Sequence, residues 1–358
     1  MKAAVISLNG TSSRWTVEAM KKYFEEVDAL DIRYLEITFS GEQAEILYKG
    51  KKISNYDCIF AKGSFRYANL MQSLTILVGD KTYFPISDRA FIISHDKLLT
   101  QLELQRNNVP MPTTYMASTI DAARNILERL NYPIILKFPR GTQGKGVLFA
   151  ESYASASSIL DALSSLRQPF IIQEYIETGG SDIRAFVIGD EVVAAFKRTA
   201  NIKEKRSNLH AGGSGESVKL SDEVKRVAVK AAKAVGAEIC GVDILLSHRG
   251  PVVLEINIAA SLKGLTEHSG IDVADLIAKY LFEKTKKKFL ADRDVSADKI
   301  LNEIEQIDKE QSLITSLDFR GSRVLLPEVI TKVADLKDEQ DYEFIAKKGD
   351  VRIKKFNL

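Results

Sequence analysis

The chain has 358 residues, of which 45% are hydrophobic and 27% charged, and its formal net charge is +2 at pH 7. This length exceeds what one compact core usually serves, so we expect two or three domains. The balanced charge gives no reason to expect nucleic-acid or membrane binding. The N-terminus lacks a signal-peptide pattern, and Cys58 and Cys240 lie in apolar runs typical of reduced core thiols. We therefore predict a soluble, cytoplasmic protein.

Near the N-terminus, apolar runs alternate with helical patterns. Strands are predicted at residues 2–8, 32–37 and 56–61, with a helix over 16–27. This alternation is typical of a small α/β domain with a parallel sheet. The loop 62–66 leaves the end of the last strand, where open α/β sheets bind ligands. Contact with substrate and a plain connecting role are both open for this loop.

A lysine interrupts the apolar run 134–138. Burial of Lys137 would be costly unless an anionic group meets it, and the alternative is an edge strand with the lysine in water. Residues 141–146 then read Gly-Thr-Gln-Gly-Lys-Gly and lead into another apolar run. Such a loop lets backbone N–H groups surround phosphate oxygens. It fits neither the P-loop nor the Rossmann template, because a strand rather than a helix follows.

Two further segments carry candidate site residues. The run 170–176 predicts a strand whose end lines an adenine pocket, or simply a central strand. Residues 240–257 read as strand, turn and strand, and the alternation places Glu255 and Asn257 on one face. Asp243 reaches that face from the opposing strand. Two carboxylates and an amide oxygen predict a Mg²⁺ or Mn²⁺ site, the alternative being a surface hairpin with polar residues in water.

In chain order, these motifs resemble the ATP-grasp superfamily over roughly residues 90–284. The run Arg-Ser-Asn-Leu-His at 206–210 is similar to the ribosomal-protein-S6 glutamate ligase (RimK-like) branch. The resemblance implies an α/β (α+β) fold: an ATP-grasp fold with a small parallel α/β domain at the N-terminus and a small β-rich C-terminal extension. The expected domains are 1–90 (α/β), 91–170 (glycine-rich loop), 171–286 (hinge and metal site), 287–320 (helical linker) and 321–358 (β hairpins).

The resemblance implies roles for individual residues. Lysines would hold the ATP phosphates, Glu174 and Tyr175 the adenine, and Asp182 the ribose. The implied ATP-binding residues are Lys97, Lys137, Gly141, Gly144, Gly146, Gln173, Glu174, Tyr175, Ile176, Asp182, Arg206, Ser207 and Asn208. The implied metal ligands are Asp243, Glu255 and Asn257. The implied substrate-binding residues are Arg184, Arg198 and Asn208, and the implied catalytic residues are Arg184 and Arg206. Guanidinium groups bind carboxylates bidentately, whereas surface ion pairing is the alternative for Arg184 and Arg198.

The implied activity is that of an ATP-dependent carboxylate–amine ligase that forms an amide through an acylphosphate. Its cofactors would be ATP and two Mg²⁺ or Mn²⁺ ions, and it would add glutamate to a protein tail or a small-molecule carboxylate. Two departures leave the acceptor open: Ala211 replaces a usual arginine, and residues 258–261 replace Ala-Ser-Pro-Gly. Other hypotheses are a ligase for another amino acid or metabolite precursor, and a catalytically silent nucleotide-binding scaffold.

The C-terminal segment has a separate pattern. A strand over 321–327, a short helix and two alternating strands at 342–346 and 350–354 are similar to the swapped-hairpin module of AbrB-type regulators. Basic and acidic residues nearly cancel there, which argues against DNA binding. A segment this short can hardly bury a core alone, so we predict a homo-oligomer, with a simple capping extension as the alternative.

Overall fold

The computed structural model describes residues 1–41, 43–139, 146–165, 169–199, 214–304, 318–338 and 340–356. The chain divides into two compact units, Met1–Thr285 and Lys286–Leu358. Among the described residues, no helix is both long and apolar enough to cross a membrane.

The first unit opens with a three-stranded parallel sheet, the predicted sheet type. The predicted strand over residues 32–37 was wrong, because Ile32–Tyr34 form a 3₁₀ turn and Leu35–Ser40 pair in a separate antiparallel sheet. Its strands are β1 (Lys2–Ser7), β2 (Glu26–Asp31) and β6 (Cys58–Ala61), in the order β2-β1-β6. The helices α1 (Thr11–Met20), α2 (Ala68–Val78), α3 (Asp88–Ile93) and α4 (Lys97–Arg106) belong to the same unit. A small antiparallel sheet is formed by β3 (Leu35–Ser40), β4 (Gln43–Tyr48) and β5 (Lys51–Lys52).

The predicted helix over residues 16–27 was wrong at its C-terminal end. Helix α1 ends at Met20, and the chain then turns so that Phe24 is buried and its N–H donates to the Met20 carbonyl at 2.9 Å. Residues 26–31, predicted partly as helix and partly as loop, instead pair along the whole length of β1. Tertiary pairing therefore overrides the local helical pattern.

A second sheet has its own small core. It consists of β7 (Thr114–Tyr115), β8 (Ile134–Lys137), β9 (Val147–Ala150) and β10 (Ile171–Glu174), in the antiparallel order β7-β10-β8-β9. Helices α5 (Ile120–Leu127) and α6 (Tyr153–Ser165) contribute Leu127 and Leu160 to this core. Strand β8 is interior, so the edge-strand explanation for Lys137 is excluded.

A five-stranded antiparallel sheet completes the first unit. Its strands are β11 (Ser181–Ile188), β12 (Glu191–Thr199), β13 (Ser214–Ser217), β14 (Ile239–Ser247) and β15 (Gly250–Asn257), in the order β13-β12-β11-β14-β15. Helices α7 (Asp222–Val235) and α8 (Leu262–Ser269) separate or follow these strands, and α9 (Val273–Ile304) begins in the first unit and continues into the second. Buried side chains of this sheet and of the parallel sheet form one continuous core, which includes the free thiols of Cys58 and Cys240. Their predicted status as reduced core thiols is confirmed.

The second unit contains two hairpins and a short helix, close to the predicted positions. The hairpins are β16 (Asp318–Arg320) with β17 (Arg323–Leu325), and β18 (Tyr342–Lys347) with β19 (Asp350–Lys355). Helix α10 (Glu328–Val333) lies between them in the chain.

Candidate active site

The β14–β15 hairpin brings together the three predicted metal ligands. Asp243 lies directly opposite Glu255, and Gly241 lies opposite Asn257. The Asn257 amide nitrogen is 3.3 Å from Asp243 Oδ2 and 3.1 Å from Glu255 Oε1. Asp243 is only 2% exposed, so the alternative of a hairpin with polar residues in water is excluded for this residue.

Two arginines converge on the same carboxylate. Arg184 donates to Asp243 through Nε at 2.7 Å and Nη2 at 2.6 Å. Arg198 Nη2 lies 2.8 Å from the same carboxylate, and Arg198 also forms a bidentate pair with Asp182. Arg198, Asp182 and Asp243 are all buried, so these are not surface ion pairs.

The charges in this cluster favour an ionised Asp243. Burial by itself disfavours the carboxylate, but the guanidinium groups of Arg184 and Arg198 outweigh it and hold the pKa of Asp243 well below its usual range. The cluster holds two cations and two anions at the junction of β11, β12 and β14. A ligand that bound the guanidinium of Arg184 or Arg198 would therefore weaken an ion pair of Asp243, a candidate metal ligand.

Lys137 extends from the second sheet as a buried cation. It is 5% exposed, and its Nζ donates to Gln173 Oε1 at 2.7 Å. Gln173 is held in turn by Thr114, whose Oγ1 accepts from its Nε2 at 2.8 Å. Burial lowers the pKa of Lys137 to about 8, while the nearby Glu255 carboxylate opposes this shift. Gln173 is thus placed to position Lys137 rather than to present its own amide to a nucleotide.

The described ends of the glycine-rich loop adjoin this lysine. Gly146 has φ +77°, and a Cβ there would lie 2.5 Å from the Phe138 ring, so only glycine fits. The N–H of Lys97, at the start of α4, donates to the Pro139 carbonyl at 2.9 Å. The charge of Lys97 also lowers the pKa of Lys137, so the two ammonium groups lie close enough to repel each other.

The segment predicted as the adenine hinge lies at the end of β10. Glu174 exchanges hydrogen bonds with Thr113: its N–H donates to the Thr113 carbonyl at 2.9 Å, and its Oε2 accepts from the Thr113 N–H at 3.1 Å. Its other oxygen accepts from Arg249, in the β14–β15 turn. The Tyr175 ring packs edge-on against Phe149 of β9, with 5.0 Å between centroids. The Glu174 side chain therefore fixes the hinge, and Tyr175 with buried Ile176 forms an apolar wall beside it.

Several residues of this site were missed by sequence reasoning. Thr113, Thr114 and Arg249 support the hinge and Gln173, and Phe149 packs on Tyr175. No local pattern could have identified them, because each acts through a contact between distant segments. Five predicted site residues lie outside the described residues: Gly141, Gly144, Arg206, Ser207 and Asn208. Their roles stay predictions.

A family model described as the RimK-like ATP-grasp domain matches residues 94–281. The chain belongs to the RimK-like ATP-grasp family. A relative from Cellvibrio japonicus (strain Ueda107), named "Probable alpha-L-glutamate ligase", is 37% identical over 293 residues, covering 80% of this chain and 97% of the relative. A relative of the same name from Stutzerimonas stutzeri (strain A1501) is 37% identical over 290 residues, with 78% and 95% covered.

A solved structure agrees with this fold. The ATP-grasp ligase PsnB complexed with minimal precursor, Mg and ADP matches with a TM-score of 0.62 at 21% identity, covering 80% of this chain and 98% of that chain. The predicted ATP-grasp fold and ligase class are therefore confirmed. As a RimK-like ATP-grasp ligase, the protein joins carbon to nitrogen with ATP and a divalent cation.

The side chains present suit a hard divalent cation. Asp243 and Glu255 offer carboxylate oxygens to a metal ion, and Asn257 offers its amide oxygen. Oxygen is the ligand atom that Mg²⁺ and Mn²⁺ prefer. Among the described residues, no group of three or more His, Cys, Asp or Glu side chains has the arrangement of a metal site. Asp243, Glu255 and Asn257 would hold the cation in this RimK-like site, where it would screen the phosphate charges of the nucleotide.

Proposed function

We propose that this RimK-like ligase activates a substrate carboxylate with ATP and joins it to the amine of glutamate. In the first step a carboxylate oxygen takes the γ-phosphoryl group of ATP, which gives an acylphosphate and ADP. In the second step the amine attacks the acyl carbon, the bond to the phosphate oxygen breaks, and an amide, phosphate and a proton are released.

One observation carries this proposal. The buried ammonium of Lys137 lies close enough to Glu255 for their charges to interact, although the two residues belong to different sheets. A phosphate held by Lys137 would therefore lie within electrostatic range of Glu255, a candidate Mg²⁺ ligand. Fixed cations at this position stabilise the charge that develops on a transferring phosphoryl group. The bound cation would screen the phosphate charges and act as a Lewis acid.

The proposal also covers the metal ions, the acceptor, the roles of individual residues and the location of the protein. Two Mg²⁺ ions are proposed on Asp243, Glu255 and Asn257, in keeping with the Mg and ADP in the PsnB complex. The proposed acceptor is the carboxylate of a protein tail or a small molecule, as PsnB is complexed with a precursor. The catalytic roles of Arg184 and Arg206 and the substrate-binding roles of Arg184, Arg198 and Asn208 remain part of the proposal, as does a cytoplasmic location.

Glutamate is the proposed amine because two relatives at 37% identity are named for it. We expect L-glutamate to raise ADP release from Mg-ATP more than the other protein amino acids, in a screen against candidate carboxylate acceptors. Coupled measurement of ADP and mass spectrometry of the product check this. Stimulation by a basic or apolar amino acid but not by glutamate would contradict the specificity, while leaving the ligase chemistry intact.

The C-terminal unit supports a second proposal, assembly with another copy of this chain. In the β18–β19 ribbon, Phe344 lies opposite Ile353, and Ala346 lies opposite Val351. Directly opposed residues share a face, so one face of this ribbon is apolar. Phe344 is 68% exposed and Val351 65% exposed, and a lone two-stranded ribbon is marginally stable in water. A second copy presents a matching face.

We expect Phe344→Lys to lower the oligomeric state of the full-length protein, because it places a charge on the apolar face. Light scattering after size exclusion measures the change. Ile345→Lys is the matched control, since Ile345 lies opposite Arg352 on the other face. A monomeric wild type, or equal masses for all three proteins, would refute assembly through this face. Salt-sensitive binding of duplex DNA by the full chain would instead support a regulatory role.

A further inference from the structure

Lys62 is a buried cation that the proposed chemistry has not used. It directly follows β6, at the carboxyl-terminal edge of the parallel sheet, and its backbone N–H donates to the Ile6 carbonyl at 2.9 Å. The residue is 8% exposed. Its Nζ lies 3.5 Å from the Ala260 carbonyl oxygen and 5.8 Å from the centre of the Phe60 ring.

The described surroundings of Lys62 contain no anion. Among the described residues, no Asp or Glu lies within ion-pair distance of its ammonium, and one carbonyl at 3.5 Å is a weak contact. Burial lowers the pKa of Lys62 to about 8. A buried ammonium without a partner is costly, and lysine is rarely retained in such a position without a charged partner.

Lys62 adjoins the active site through Ala260. This residue follows the candidate metal ligand Asn257 by three positions, in the segment where the chain departs from its family. A Cβ built on Gly241 would lie 3.0 Å from the Ala260 Cβ and 3.7 Å from Arg184 Cδ. Ala260 therefore packs between Lys62 on one side and the strand that carries Asp243 on the other.

A second unsatisfied group lies on the same wall. His95 is hydrogen-bonded to the backbone of Gly63, the residue after Lys62. Its Nε2 atom is buried and has no hydrogen-bond partner among the described residues. Among the described residues, the region around the end of β6 thus contains the Lys62 ammonium without an anion and, beside Gly63, the His95 imidazole with one nitrogen that has no partner.

We propose that Lys62 binds a substrate carboxylate at the wall between β6 and Ala260. The inference rests on the proposed function to the extent that a carboxylate–amine ligase takes carboxylates as substrates. The phosphates are assigned to Lys97 and Lys137, and the candidate cation site to β14 and β15. Lys62 supplies a separate cation on the side of the site formed by the parallel sheet. Loop 62–66, for which the sequence left two possibilities, then takes part in substrate binding through its first residue.

The test compares wild type with Lys62→Met, Lys62→Arg and the control Lys263→Met, whose lysine is exposed on α8. We expect Lys62→Met to raise the KM for L-glutamate or for the carboxylate acceptor about tenfold to a hundredfold, the usual effect of losing a hydrogen bond to a charged group. The KM for ATP should change less than about threefold, and Lys62→Arg should retain part of the affinity. The KM that rises identifies which substrate carries the carboxylate. A rise in the KM for ATP alone, or no change in any KM, would overturn the proposal.

Thermal unfolding separates binding from a structural role. If Lys62 serves to bind a ligand, Lys62→Met should raise the melting temperature of the ligand-free protein, because it removes a buried charge. L-glutamate should then raise the melting temperature of wild type but not that of Lys62→Met. A lower melting temperature with unchanged KM values would make Lys62 structural and refute the proposal. If glutamate does not stimulate wild type, the proposed specificity fails and succinate replaces it as the probe. Stabilisation of wild type by succinate, lost in Lys62→Met, would support the carboxylate site independently, and stabilisation by neither probe would overturn it.

Discussion

Replacement of Glu255 by glutamine is expected to lower ligase turnover by about a hundredfold or more, while the fold remains intact. Glu255 lies opposite Asp243 in the β14–β15 hairpin and interacts electrostatically with Lys137. Among the described residues, its one side-chain hydrogen bond comes from Asn257, at 3.1 Å. Glutamine keeps the shape and can keep that bond, so the loss falls on cation binding rather than on stability.

The measurement is ADP release as a function of Mg²⁺ concentration, together with binding of Mn²⁺ as a paramagnetic probe. The matched control is Glu267→Gln on α8, since Glu267 is exposed and its ion pair is with exposed Lys263. We expect the control to behave like wild type and Glu255→Gln to need more Mg²⁺. Turnover within about threefold of wild type in a folded Glu255→Gln protein would remove Glu255 from the metal site.

The proximity of Asp243, Glu255 and Asn257 could be predicted because it depends on one short hairpin. Strand alternation puts Glu255 and Asn257 on one face, and a turn of fixed length brings Asp243 opposite. The first and last strands of the parallel sheet at the N-terminus were predictable for a similar reason, since β1 and β6 are apolar runs, whereas β2 alternates charged and apolar residues and was not predicted. In the hairpin and in these two strands, the pattern of apolar residues in the sequence matches the strand that forms.

The partners of Arg184 and Arg198 could not be predicted in the same way. Their ion pairs depend on β11 lying between β12 and β14, so that Arg184 comes into register with Asp243 and Arg198 with Asp182. The order of strands in a sheet is a property of the whole chain, which no single segment encodes. The burial of Lys62 against Ala260 has the same origin, because it requires the parallel sheet to pack against the end of β15.

Replacement of Lys137 by methionine is expected to weaken nucleotide binding about tenfold or more and, at the same time, to stabilise the nucleotide-free protein. Burial lowers the pKa of Lys137 from 10.5 to about 8. Below pH 8 the folded protein therefore carries an ammonium that the unfolded chain accommodates more easily. The cost is of the order of 3 kcal/mol at most. Methionine fills similar space without a charge.

The dependence of this stability difference on pH has a definite sign. Between about pH 8 and 10.5 the unfolded state binds more protons than the folded state, so the free energy of unfolding of wild type rises with pH. Lys137→Met lacks this titration. Its stability advantage should be largest at pH 7 and should shrink towards pH 10.5, as measured by denaturant unfolding of both proteins. An advantage that grows with pH, or a less stable variant at pH 7, would contradict the cost assigned to burial of the Lys137 ammonium.

Nucleotide binding should reverse the lowered pKa of Lys137, because phosphate charges favour its ammonium form. Wild type is therefore expected to take up protons when Mg-ADP binds near pH 8 to 9, and Lys137→Met to take up fewer. Calorimetry in buffers of different ionisation enthalpy measures the number of protons. Gln173→Ala tests the positioning role, since it removes the 2.7 Å hydrogen bond to Lys137 and keeps the charge. That variant should keep the proton uptake but bind Mg-ADP more weakly. Wild-type affinity and proton uptake in Lys137→Met would show that the phosphates bind elsewhere.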